Sequence, residues 1–136
     1  MLVFAFGFND AAHKNSDHPQ VELELSVKTT CKIMSQAPAI SKVLRIGPTP
    51  LDETVNTLDG SGGRWLMYNE EIKKYDHAYA NQMKIEYRPL YQEYLVSPRY
   101  RAALVAGDKV HPFDDGYAMI AQSVTNWDAW RKLFRP

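Results

Sequence analysis

The opening residues Leu2-Val3-Phe4-Ala5-Phe6 constrain the fold more than any other stretch of the chain. They form a continuous apolar run without alternation, the pattern of a strand covered on both faces, as in a parallel sheet between helical layers. Gly7 ends the run too early for a secretory leader, and neither a basic start nor a small-residue cleavage site accompanies it. A central strand has neighbours on both sides, yet no earlier segment exists here to supply one. The expectation is a chain that starts in mid-fold, with an unpaired strand edge that invites self-association.

The remaining pattern alternates helix and strand. After a polar loop with His13, Asp17 and His18, residues 21–37 space Val21, Leu25, Cys31 and Met34 at helical intervals. Residues 42–46 are a short strand closed by Gly47-Pro48-Thr49-Pro50, whose prolines cannot continue a ladder. The loop Asp59-Gly60-Ser61-Gly62-Gly63 leads into an expected helix over 64–83 with Trp65, Ile72, Tyr75 and Tyr79 inward. A third strand over 84–87 follows, then helix over 89–106 broken at Ser97-Pro98, release at Gly107, and a last helix over 114–133. Strand–helix–strand alternation implies an α/β three-layer domain with a parallel sheet. With no internal repeat and no long linker, residues 1–136 are expected to belong to one domain.

Charge excludes several partner classes. Lysine plus arginine equals aspartate plus glutamate, 16 against 16, so no net field draws in nucleic acid or an anionic membrane. No run of about 18 apolar residues occurs, which excludes a spanning helix. A single cysteine, Cys31, cannot staple the fold and reads as a buried, inert thiol. Nothing demands an oxidising compartment, so a cytoplasmic location is expected, and secretion of a longer precursor is compatible with the same residues. His13, Asp17 and His18 lack a metal-ligand spacing and are expected to be solvated. The many tyrosines and tryptophans have no accompanying basic stripe and are expected to pack the core rather than stack on bases.

Two short motifs carry the chemistry. Gly7-Phe8-Asn9-Asp10 stands directly after the first strand, at the carboxyl end where open α/β sheets place their ligand crevice, although any strand exit favours the same residue types. Asp108-Lys109-Val110-His111-Pro112 lies in the loop between two helices. An aspartate three residues before a histidine can turn its carboxylate onto one ring nitrogen and leave the other free as a general base. Pro112 stiffens the exit and biases His111 toward extended backbone. A capping aspartate beside a solvated histidine would read the same way.

Together, G-x-N-D after a buried strand and D-x-x-H-P near the C-terminus resemble the third and fifth sequence blocks of the SGNH, or GDSL-type, ester hydrolases. Ile46-Gly47-Pro48-Thr49-Pro50 and Asn126-Trp127-Asp128-Ala129-Trp130 extend the resemblance in the right order, toward a bacterial subgroup. It implies a flavodoxin-like SGNH fold with the first two strands missing and hydrolysis of a small-molecule ester through a serine acyl-enzyme, with no metal or organic cofactor. By resemblance, Asn9 is the oxyanion donor, His111 the base and Asp108 its orienting partner, while Gly7 permits close backbone approach and Asp10 and Pro112 support the two loops. The nucleophile block departs from the family pattern: no G-D-S occurs in the chain and no serine precedes Asn9. The alternative expectation is a non-catalytic relic or interaction module that keeps the second half of the fold.

Overall fold

A computed structural model describes residues 1–37, 41–57, 59–60, 63–82 and 84–134. In chain order the elements are β1 (Leu2–Ala5), β2 (His13–Lys14), α1 (Leu23–Gln36), β3 (Val43–Ile46), β4 (Asp59–Gly60), β5 (Gly63–Leu66), α2 (Asn69–Gln82), β6 (Glu86–Arg88), α3 (Tyr91–Leu95), α4 (Pro98–Ala106), α5 (Asp114–Thr125) and α6 (Asp128–Arg131). The fold is mixed α/β. β1, β3 and β6 form a parallel sheet in the order β1-β3-β6, with Leu2 opposite Val43 and Ile46 opposite Arg88.

Successive residues of a strand face opposite sides of its sheet, and Arg45 and Ile46 show both. Arg45 meets Tyr79 of α2, on the side where Val27, Ile72, Tyr75 and Tyr79 form one core. Ile46 packs against the other core, built from Leu90, Tyr94, Tyr100 and Leu104 with Met119 and Ile120. Helices therefore cover both faces of the sheet.

Five expectations are corrected. The first strand, which among the described residues pairs only with β3 and so has the open edge expected of it, leaves Val3 40% exposed. Leu2 and Phe4 are half-buried while Val3 and Ala5 are exposed, so the strand is not covered on both faces. A local apolar run reports what each face tolerates, not which neighbours it finds.

Second, the helix expected from 64 begins at Asn69, because Gly63–Leu66 pairs antiparallel with His13–Lys14 and with Asp59–Gly60 in a second small sheet. Lys14 lies 4.9 Å above the Trp65 ring, a partner that local periodicity cannot reveal. The loop residues Ser61 and Gly62 lie outside the described residues. Third, α1 turns Ser26, Val27, Thr30 and Met34 inward, while Leu25 is exposed and Cys31 only half-buried. Two hydroxyl residues point into the core because Tyr79 and Asp10 wait there with polar groups to satisfy.

Fourth, the last helix is two: Trp127 is extended and separates α5 from α6. Fifth, the third strand occupies Glu86–Arg88 rather than 84–87. The break at Ser97 is as expected, with its hydroxyl accepting from the Tyr100 N–H and Pro98 in the first turn. Among the described residues no helix is long and apolar enough to cross a membrane.

Candidate functional site

A cleft of about 550 Å³ opens at the carboxyl ends of β1 and β3, within the range of small-molecule pockets. Asn9 and Asp10 line one side, His111 and Pro112 another, with Ile46, Leu90 and Ile120 among the apolar walls. The two motifs, at residues 7–10 and 108–112 of the sequence, thus face one space.

The strand exit is built around Gly7. Its φ of +105° is rare for any L side chain, and a Cβ there would lie 2.5 Å from the Tyr79 hydroxyl oxygen. Asn9 opens a 3-10 turn over Asn9–Ala11, and its carbonyl accepts from the Ala12 N–H at 3.1 Å and from Gln20 Nε2 at 2.9 Å. Asp10 accepts from Ser26 Oγ at 2.5 Å, and Tyr79 donates to the same hydroxyl at 2.6 Å. With its backbone so held, the exposed Asn9 side chain has no hydrogen-bond partner among the described residues and its amide is available to the cleft.

The histidine loop is built locally. Gly107 ends α4 with its α-carbon so close to the His111 carbonyl that a Cβ would sit 2.3 Å from it. Lys109 adopts φ +71°, a left-handed conformation costly for a side-chain-bearing residue. Its N–H reaches the Leu104 carbonyl at 3.0 Å and its carbonyl accepts from the Asp52 N–H at 2.9 Å, which hold the turn in place. Inside it, Asp108 Oδ1 accepts from the backbone N–H groups of Val110 at 2.9 Å and His111 at 2.6 Å, while Oδ2 lies 2.8 Å from His111 Nδ1.

The backbone N–H of His111, then its ring, then the Val110 N–H hold the Asp108 carboxyl down at about 2. A carboxylate on Nδ1 assigns that nitrogen the proton, which leaves Nε2 as the acceptor of a neutral ring. The ring is 70% exposed and lines the cleft.

Beneath the strand exit lies a group the sequence reading missed. Arg45 is fully buried, its Nη2 donating to the Phe6 carbonyl at 3.0 Å and its Cζ lying 4.2 Å from the Phe6 ring centroid and 4.0 Å from that of Tyr79. An arginine amid Val43-Leu44-Arg45-Ile46 was the available signal.

His13, Asp17 and His18 do not reach the cleft, and His13 stands edge-on to Tyr68 at 5.5 Å. Among the described residues no cluster of three or more histidine, cysteine or acidic side chains could hold a metal. No lysine, arginine, serine or cysteine lines the cleft among them; the hydroxyls it offers are those of Thr49 and Tyr117. The arrangement can therefore accept a proton at His111 and donate a hydrogen bond from Asn9 across one cavity. Comparison with protein-family models and with curated proteins finds no match to this chain.

Proposed function

We propose that the chain is the C-terminal part of an SGNH (GDSL-type) ester hydrolase domain, with a flavodoxin-like sheet whose two preceding strands would lie along the open edge of β1. One observation carries this reading: Asn9 and His111 line the same cleft at the carboxyl edge of a parallel sheet, with Asp108 on the far nitrogen of the ring. In the reaction a serine hydroxyl from the preceding segment attacks the ester carbonyl as His111 Nε2 takes its proton. The tetrahedral oxyanion accepts a hydrogen bond from the Asn9 amide, a contribution of roughly 3–4 kcal/mol at comparable sites. The imidazolium, held by Asp108, then protonates the departing alkoxide. Water, activated by the same nitrogen, attacks the acyl-serine and releases the acid.

A second reading, a non-catalytic relic or interaction module, draws on one feature: the 136 residues contain no G-D-S. One experiment separates the two. The chain alone is expected to give no acyl-enzyme and no burst with nitrophenyl acetate. Joined to a segment of about 70–80 residues carrying two βα units and a G-D-S serine, it is expected to hydrolyse the ester. In that form His111→Ala should abolish most of the rate, Asp108→Ala should cost less, and Asn9→Ala on the order of a hundredfold or more in kcat. A folded, joined protein without hydrolysis, or one indifferent to Asn9→Ala and His111→Ala, overturns the enzyme reading.

A further inference from the structure

Arg45 contradicts the ordinary rule for buried charge. It is 0% exposed, and among the described residues its Nε and Nη1 find no hydrogen-bond partner and no carboxylate forms an ion pair with it. Asp10 is occupied by Ser26, and Asp76 by the Tyr87 hydroxyl. Burying a guanidinium on such terms is expensive, and the faces of Phe6 and Tyr79 offset only part of the loss. An apolar residue of similar volume commonly replaces a buried charge with no loss of stability or with a gain. Stability is therefore a poor reason for an arginine here, and what it touches suggests a better one.

Its Nη2 donates to the Phe6 carbonyl, one residue before the left-handed Gly7 and three before Asn9. Its other flank holds Tyr79, whose hydroxyl closes against the Gly7 α-carbon and donates to Ser26, which in turn grips Asp10. Both ends of the stretch from Phe6 to Asp10 are thus fastened through one guanidinium and one phenol. We propose that Arg45 is a positioning residue: by holding the Phe6 carbonyl and the Tyr79 ring it fixes the strand exit that presents the Asn9 amide to the cleft. The catalytic meaning of that placement rests on the ester-hydrolase reading, whereas the placement itself does not.

The test compares Arg45→Met and Arg45→Lys in the full chain by calorimetry and by NMR of the Asn9 side-chain amide, and then in the serine-bearing joined protein by kinetics. Arg45→Met should melt no lower than the parent, while the Asn9 amide signal shifts or broadens. In the joined protein kcat should fall on the order of a hundredfold, the scale of a small misplacement, with KM little changed. Arg45→Lys keeps the charge but loses the planar fork that both stacks and donates, so it should restore the signal and kcat only in part. A methionine variant that melts lower or fails to fold makes Arg45 a structural residue and overturns the proposal, as does an unshifted Asn9 amide. An inactive joined parent would sink the hydrolase reading alone, because the melting and amide measurements still decide the positioning role.

Discussion

The two sides of the cleft are held by opposite means. Asp108, Val110 and His111 satisfy one another within a single turn, which the Lys109 backbone ties to Leu104 and Asp52, and the aspartate and the ring are 61% and 70% exposed. Asn9 is positioned by residues from three other elements: Ser26 on α1, Tyr79 on α2 and Arg45 on β3, all of them buried. In the first arrangement the side-chain geometry is made by the turn's own residues, and the core reaches it only through the Lys109 backbone. In the second, the geometry of one exposed amide is a property of the packed interior. Damage to the core should therefore reach Asn9 long before it reaches His111.

The largest effect is expected at Gly7. Alanine there must adopt φ +105° and place a Cβ against the Tyr79 ring and hydroxyl, neither of which can move without disturbing Ser26 and Arg45. Backbone strain and overpacking together should cost about 3–4 kcal/mol. For a chain of this size that is roughly 10 °C in Tm, readable by calorimetry. A Gly7→Ala protein melting within a degree or two of the parent would show that the Asn9 side is as loosely tied as the other.

Ser26→Ala is the milder version of the same injury. It removes the hydroxyl that donates to Asp10 and accepts from Tyr79, leaving a buried phenol to find another partner. The expected loss is about 1–3 kcal/mol by urea unfolding, with NMR shifts spreading to residues 7–10 and sparing 108–111. Shifts of equal size at both loops would mean that the two sides are coupled directly.

The same division decided what the sequence could reveal. The Asp108–His111 turn was legible because its chemistry is contained in adjacent letters, and the structure closes the expected carboxylate–imidazole bond at 2.8 Å. Gly7 and Asn9 were legible as positions, from a glycine and an asparagine directly after an apolar strand. Their clamp was not. Ser26 and Thr30 would have had to be recognised as inward on a helix whose apolar spacing pointed to Leu25 and Cys31 instead. The pairing of Gly63–Leu66 with His13–Lys14 was equally hidden, since the first follows a glycine-rich loop, the second is only two residues long, and only the partner makes either a strand. Likewise the exposure of Val3 and Ala5 follows from what covers each face of β1, which no single segment encodes.

The smallest effect should belong to Asp108, and its pH dependence gives the comparison its finest test. The carboxyl is held at about 2, against 3.8 for the free group, chiefly by the backbone N–H of His111 and then by the ring. A carboxyl whose pKa is lower folded than unfolded contributes stability that is fully present above the unfolded value and disappears as pH falls through the folded one. The pair is largely exposed, so water and salt screen it and the contribution should stay under about 1 kcal/mol. Asp108→Asn is therefore expected to unfold in urea almost like the parent at pH 7. The small gap should narrow between about pH 4 and pH 2 and shrink further in high salt. The deficit of Ser26→Ala, measured at pH 7, should exceed it clearly. Were Asp108→Asn to lose as much stability as Ser26→Ala, or were its gap to widen on acidification, the histidine turn would have to be bound into the core after all.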